Sequence, residues 1–233
     1  MPETASTSEI DQAAGALLAD LQALPVRDTP SVRQIRRRYS RAWRERPGPW
    51  VLAVAETLFH DHGYRWVAYE LIAAHGEAFG LLDLARIVAL GEGMADWAAV
   101  DTFARTIAGP AWLHGLLTDA DIARWADSED RWWRRAALVS TVAWNTPSQG
   151  GHGDASRTLA VCQRLLADRD DMVVKALSWA LRKLSECDPD AVRAFVRKHE
   201  GALAARARRE TLHKLETGLK NPRRPQSNDP STK

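Results

Sequence analysis

Cysteine, lysine and long apolar runs are all scarce in this chain of 233 residues. Its two cysteines, Cys162 and Cys187, lie too far apart in sequence to form a CxxC pair, which argues against a disulfide framework or a thiolate metal site. No apolar run approaches the ~20 residues of a membrane-spanning helix. The acidic, polar segment 1–12 lacks the basic and apolar stretches of a secretory signal. We therefore expect a soluble protein of the reducing cytoplasm, with no membrane partner.

The net charge gives little information about partners, because 32 Lys and Arg residues oppose 30 Asp and Glu residues and leave a formal charge of +2. The basic residues are overwhelmingly arginine, whose planar fork of donors suits phosphates and carboxylates. An arginine-rich composition also follows from a GC-rich genome, so composition alone does not indicate a nucleic-acid partner. The ten tryptophans are many for this length, and we expect most of them in the core.

Helical hydrophobic periodicity dominates the chain, and alternating strand-type runs are hard to find. Asp188 followed by Pro189 has the form of an N-cap with proline at the first helical position. The glycine-rich segment 147–153 predicts a flexible loop. We predict a single helical domain over residues 1–220 and a disordered basic tail over 221–233. The periodicity predicts helices at 8–24, 31–45, 49–61, 64–75, 81–93, 96–108, 110–125, 129–145, 155–167, 171–186, 188–199 and 202–219.

Three segments align without gaps and indicate an internal repeat. Each begins with an aspartate at a predicted helix start and places a charged residue five positions later, at Asp101, Arg135 and Lys175. Their separations fall in the ~34–47-residue range of paired-helix repeats such as HEAT. Equivalent positions of a solenoid stack along one surface, usually the concave one. We therefore predict an all-α, HEAT-like repeat solenoid whose concave groove carries these charges in a row.

Two tryptophans are predicted to share this groove. Trp97 lies one helical turn before Asp101, and Trp179 lies one turn after Lys175, so each pair shares a helix face. A carboxylate can stabilise positive charge that develops on a sugar during glycosidic cleavage. Indole faces attract cations by about 0.5–2 kcal/mol, and basic side chains bind phosphates. The set fits a cationic, sugar-bearing substrate on a polyanionic backbone, although packing between repeats is the competing interpretation for either tryptophan alone.

These residues resemble a known family. The segment 97–101, WAAVD, is similar to the W-x-x-V-D motif of the AlkD-type bacterial DNA glycosylases, which are HEAT-like enzymes of alkylation repair. Arg135 matches the groove arginine of that family, and Trp179 matches its second active-site tryptophan. The segment 188–196 resembles the family's next helix. The resemblance covers roughly residues 31–215.

The resemblance implies a monofunctional glycosylase that removes N3- and N7-alkylated purines from duplex DNA. It implies no metal, no cofactor and no flipping of the base, and we expect a monomer at the nucleoid. Asp101 would stabilise the deoxyribose cation and position the attacking water, while Trp97 and Trp179 flank the sugar and Arg135 holds the backbone near the lesion. Four further basic residues are candidates for contacts with DNA: Lys175, Arg182, Arg36 and Arg37.

The N-terminal helices depart from the family pattern, because residues 1–38 contain no aromatic side chain to touch the lesioned base pair. The choice of lesion therefore stays open, and a bulky adduct is an alternative substrate. The arginine cluster at residues 33–46 indicates either a phosphate-binding surface or a solvated helix face. The segment 60–62, HDH, is interpreted as a helix end rather than a metal pair. Two other functions compete with the enzyme: a DNA-binding relative without catalysis, and a protein-binding HEAT scaffold.

Overall fold

The computed structural model describes residues 6–60 and 63–220, and every regular element within them is helical. The predicted tail 221–233 and two residues of the HDH segment lie outside the described residues. The elements are α1 (Thr7–Gln22), α2 (Thr29–Ala42), α3 (Gly48–His60), α4 (Arg65–Ala73), α5 (Gly76–Gly80), α6 (Leu84–Gly91), α7 (Trp97–Phe103), a π-helical turn (Ala104–Ala108), α8 (Gly109–Leu113), α9 (Asp119–Ala126), α10 (Arg131–Trp144), a 3-10 turn (Pro147–Gln149), α11 (Ala155–Arg164), α12 (Asp171–Leu184), α13 (Pro189–Lys198) and α14 (Ala205–Thr217).

Aspartate N-caps begin the helices of the predicted repeat. Asp96 accepts hydrogen bonds from two backbone N–H groups of α7 at 2.8 and 2.9 Å, and Asp130 and Asp170 each accept one at 2.8 Å from the residue two positions on. Such a cap contributes about 1 kcal/mol, because it satisfies N–H groups that have no partner inside the helix. Asp188 caps α13 in the same way, with Pro189 as the first helical residue. These predicted helix starts are confirmed.

The single helix predicted at 110–125 is wrong, because the structure has two helices there. α8 ends at Leu113, and Gly115 then turns the chain with a φ of 78°, a value that favours glycine. Thr118 begins α9 through a capping box, in which Thr118 and Asp121 each accept the other's backbone N–H. The helical spacing of apolar residues continues across this turn, so the sequence pattern did not indicate a break between the two helices. The short helix α5 was also not predicted.

The helix predicted at 96–108 changes geometry halfway along. α7 continues into the π-helical turn Ala104–Ala108, in which each turn holds one extra residue. Gly109 follows and lies against α10, where an added Cβ atom would come within 2.8 Å of the carbonyl oxygen of Ser140. Glycine therefore permits the close approach of the two backbones. π-helical turns of this kind are frequent at functional sites.

The helices form two layers. In the first layer α2, α4, α7, α10, α12 and α14 pack in this order, each against the next. In the second layer α1, α3 and α5 follow one another, and so do α9, α11 and α13. Each layer thus advances by one helix per repeat, which is the arrangement of stacked paired-helix repeats. The predicted all-α fold is confirmed, and the residues of the repeat motif all lie in the first layer.

The core lies between the two layers as one connected set of buried apolar side chains from α1 to α14. Four of the ten tryptophans are buried in it and five more pack against it partly buried, so most of them belong to the core as the composition predicts. The hydroxyl of Tyr69 is also buried, and it donates a hydrogen bond to the carbonyl of Leu90 at 2.6 Å. Within the described ranges, no helix combines the length and the apolar character that crossing a membrane requires.

Candidate functional site

An open cleft of about 380 Å³ lies on the first helix layer. It brings together the three residues predicted as catalytic, although Trp97 and Asp101 come from α7 and Trp179 comes from α12. The layer order explains this, because only α10 separates α7 from α12. The full lining is Arg33, Trp97, Ala98, Asp101, Thr102, Arg105, Thr106, Gln149 and Trp179.

The two tryptophans of the cleft differ in exposure. Trp97 is 56% exposed, and every other Trp, Tyr and Phe side chain among the described residues is buried or partly buried. Core packing between repeats therefore does not explain Trp97. Trp179 is half-buried and packs partly against the core. The cleft thus contains one largely exposed indole, that of Trp97, and one partly buried indole, that of Trp179.

Asp101 and Arg135 form a bidentate ion pair. Nε of Arg135 donates to Oδ1 of Asp101 at 2.8 Å, and Nη2 donates to Oδ2 at 2.8 Å. Nη1 of Arg135 donates to the backbone carbonyl of Met172 at the start of α12. The arginine therefore joins α7, α10 and α12 and fixes the orientation of the carboxylate. Each carboxylate oxygen retains a further lone pair, and the Asp101 side chain is 16% exposed.

The structure places Arg135 beside Asp101, and its predicted contact with the DNA backbone stays a prediction. Arg135 is only 5% exposed, and it is absent from the lining of the cleft. Asp101 and a backbone carbonyl engage three of its five N–H donors, and its burial leaves the other two little access to a phosphate. The repeat register predicted that Arg135 and Asp101 are neighbours along the groove. In the structure their side chains form an ion pair with each other and are not two separate charges.

The remaining predicted DNA contacts on α12 are also engaged within the protein. Lys175 pairs with Asp171 on its own helix at 2.6 Å and does not line the cleft. Arg182 is largely buried between α12 and α14, where Nε donates to Oγ of Ser178 at 3.1 Å and lies 3.9 Å from Glu210. Burial lowers the pKa of the Arg182 guanidinium. That Arg182 contacts DNA stays a prediction, and its largely buried side chain does not favour it.

The arginine cluster of α2 mostly connects helices. Arg36 is largely buried and pairs with Glu70 of α4 at 2.9 Å, and its role in DNA contact stays a prediction. Arg33 pairs with the same carboxylate at 2.8 Å, yet it also lines the cleft. Arg38 and Arg46 both pair with acidic residues of α1. Arg37 is exposed and forms no ion pair within the described ranges.

Arg105 and Gln149 are among the residues of the cleft that sequence reasoning missed. Arg105 lies four positions after Asp101, so helical spacing could have identified it. Gln149 belongs to the 3-10 turn, and its Nε2 donates to the carbonyl oxygen of Arg105 at 3.2 Å. This bond fastens the predicted loop 147–153 to the π-helical turn. In the part of the chain that the structure describes, no three His, Cys, Asp or Glu side chains are grouped to hold a metal ion.

The fold and the cleft together define an all-helical repeat protein with a carboxylate, two indoles and two arginine side chains in one open site. A family model described as DNA alkylation repair enzyme matches residues 19–215, which is most of the chain. The chain belongs to this family of DNA alkylation repair enzymes. The match begins within α1, earlier than the resemblance read from the motifs. No curated protein sequence matches the chain significantly.

Proposed function

We propose that this protein is a monofunctional DNA glycosylase that hydrolyses the N-glycosidic bond of positively charged N3- and N7-alkylated purines in duplex DNA. The observation that carries the proposal is the Asp101 carboxylate, fixed by Arg135 and open to a cleft that Trp97 and Trp179 also line. A carboxylate open to the cleft repels phosphate, so a protein that only bound phosphates would gain nothing from exposing it there.

The chemistry follows from the charge of the lesion. A purine alkylated at N3 or N7 is cationic and leaves as a neutral base, so no general acid is needed to protonate it. As the bond breaks, positive charge develops on the deoxyribose, and a carboxylate held in place stabilises it without reorganisation. The free lone pairs of Asp101 can also accept a proton of the attacking water. Arg135 acts through Asp101 as a positioning residue.

The indoles support the same substrate class. A cationic nucleoside is attracted to the face of tryptophan, and the exposed Trp97 offers such a face at the mouth of the site. The cleft is open and not enclosed, which fits a nucleotide that stays in the duplex better than a base extruded into a closed pocket. A bulky adduct would also fit an open cleft, so it is included as a substrate in the test.

The experiment is incubation with duplexes that carry one N7-methylguanine or one bulky N3-purine adduct. Free base and abasic sites are measured under single-turnover conditions, together with binding to the same duplexes. We expect free base and an abasic site from wild type and tight binding without release from Asp101→Asn. Binding without release by wild type would instead indicate a DNA-binding relative without catalysis. Failure to bind either duplex would favour a protein-binding scaffold.

A further inference from the structure

One guanidinium of the cleft has no carboxylate partner. Arg105, in the π-helical turn after α7, is exposed, and none of the described acidic residues lies within 4.0 Å of its charged atoms. The other arginine of the lining, Arg33, has a carboxylate partner in Glu70, which it shares with Arg36, and the nearby Arg135 pairs with Asp101. Arg105 is therefore the one arginine of the lining that has no carboxylate partner among the residues that the structure describes.

The surroundings of Arg105 place it at the edge of the site. Its guanidinium carbon lies 5.8 Å from the ring centroid of Trp179. Its backbone carbonyl is held by Gln149 at 3.2 Å. It lines the catalytic cleft and also an adjoining cleft of about 350 Å³, and the two clefts share Thr106 and Gln149 as well. The backbone of Arg105 is thus fixed, while its side chain stands at the junction of two open spaces.

A free cation at this position conflicts with a cationic substrate unless an anion neutralises it. Arg105 lies over the indole face that a positively charged nucleoside would use, and like charges at this range repel. The anions that every nucleotide brings with it are the phosphates of its own strand. Arginine binds phosphate oxygens in a bidentate manner that its planar fork favours.

We infer that Arg105 binds a phosphodiester of the lesion-bearing strand and is the phosphate contact of the cleft. The inference rests on the proposed function in taking duplex DNA as the ligand. When the phosphate binds, the guanidinium turns away from Trp179 and leaves that indole face free for the cationic nucleoside. The contact also fixes the sugar relative to Asp101, which lies one turn before Arg105.

The first arm of the test is the salt dependence of duplex binding. Each phosphate contact contributes a slope of about 0.9 in log K against log salt concentration. We expect Arg105→Gln to lower the slope by about this amount and Arg105→Lys to keep it. The matched control is Arg193→Gln, because Arg193 is an exposed arginine of α13 in the second layer, paired only with Asp190. We expect this control to leave the slope unchanged.

The second arm locates the phosphate. Methylphosphonate linkages, which carry no charge, replace single phosphates one at a time around an N7-methylguanine. At one position on the lesion-bearing strand we expect the replacement to weaken wild-type binding and to have no further effect on Arg105→Gln. A purely structural role for Arg105 would not move this signal. Thermal unfolding checks that the variants are folded.

The outcomes separate the two proposals. An unchanged salt slope for Arg105→Gln, or equal weakening of wild type and variant at every methylphosphonate position, overturns the role of Arg105. Base release by wild type together with either result leaves the proposed glycosylase function standing. Absence of duplex binding by wild type overturns both.

Discussion

Arg135 reaches both carboxylate oxygens of Asp101 at 2.8 Å, across a separation of 34 residues in sequence. The pair connects two consecutive members of the first helix layer, and a third donor of the same arginine reaches α12. The orientation of the candidate catalytic group is therefore set by the stacking of three repeats. A change in that stacking would change the site.

Asp101→Asn should retain duplex binding and lose most base release. The amide keeps the size of the side chain but removes the negative charge that stabilises the sugar cation. Loss of one well-placed electrostatic stabiliser typically lowers the rate by ~10²–10³. Single-turnover excision of N7-methylguanine measures the effect, and a near-wild-type rate for the variant would show that Asp101 is not catalytic.

Arg135→Gln should lower the rate of base release and the stability while leaving the salt slope of DNA binding unchanged. The substitution breaks the ion pair and leaves Asp101 without its partner. Because the pair is largely buried, we expect the free energy of unfolding to fall by up to about 3 kcal/mol. Urea unfolding gives the stability, and a salt titration of duplex binding gives the slope. A slope reduced by about one phosphate contact would place Arg135 on DNA after all.

Much of the site followed from sequence because its signals are local. The aspartate caps fix where α7, α10 and α12 begin, and helical spacing then puts Trp97 and Asp101 on one face. The gap-free repeat indicated that Arg135 and Trp179 come from neighbouring helices of the same layer. None of these steps needs knowledge of contacts between distant segments.

The rest depends on side-chain partners that sequence spacing does not reveal. The repeat register shows that Asp101 and Arg135 are neighbours, but not that they point at each other. The sequence left two interpretations of the α2 arginines open, a phosphate-binding surface or a solvated helix face. It could not show that Arg33 and Arg36 pair with Glu70, because Glu70 lies in another helix. Gln149 reaches the cleft from an irregular segment that has no periodicity to extrapolate.

Trp97→Ala should reduce base release with little effect on folding. Its indole is largely exposed, so its removal should change stability by about 0.5 kcal/mol or less. Loss of one cation–π contact of about 0.5–2 kcal/mol corresponds to a rate loss of roughly 2-fold to 30-fold. The matched control is Trp112→Ala, since Trp112 is buried and its loss should cost about 3–5 kcal/mol of stability. A large loss of stability in Trp97→Ala would indicate that Trp97 is a core packing residue and not a substrate contact.

Glu210 of α14 should make the stability depend on pH. Its buried carboxylate accepts hydrogen bonds from Ser178 at 2.7 Å and from Arg206 at 3.0 Å. Burial raises the pKa of Glu210, but these bonds and nearby positive charges outweigh burial and hold the pKa below its ordinary value of 4.5. Since the folded-state pKa is lowered, the contribution is complete above that value and is lost as the pH falls below it.

Glu210→Gln should therefore be less stable than wild type near neutral pH by about 1–3 kcal/mol. The difference should shrink as the pH falls below 4.5. Urea midpoints across a pH series measure it, with Glu200→Gln as the control because Glu200 is exposed. A difference that stays constant across the series would mean that the charge of Glu210 does not contribute.

The most direct measurement is a panel of duplexes that differ only in the lesion, assayed for free base under single-turnover conditions. Among the residues that the structure describes, Asp101 is the only His, Asp or Glu side chain in the lining of the cleft, and Arg135 already donates to both of its oxygens. The site therefore offers no general acid for a neutral leaving base. The proposal predicts release of N7-methylguanine and N3-methyladenine but not of uracil or 8-oxoguanine. Comparable release of uracil and N7-methylguanine would contradict it.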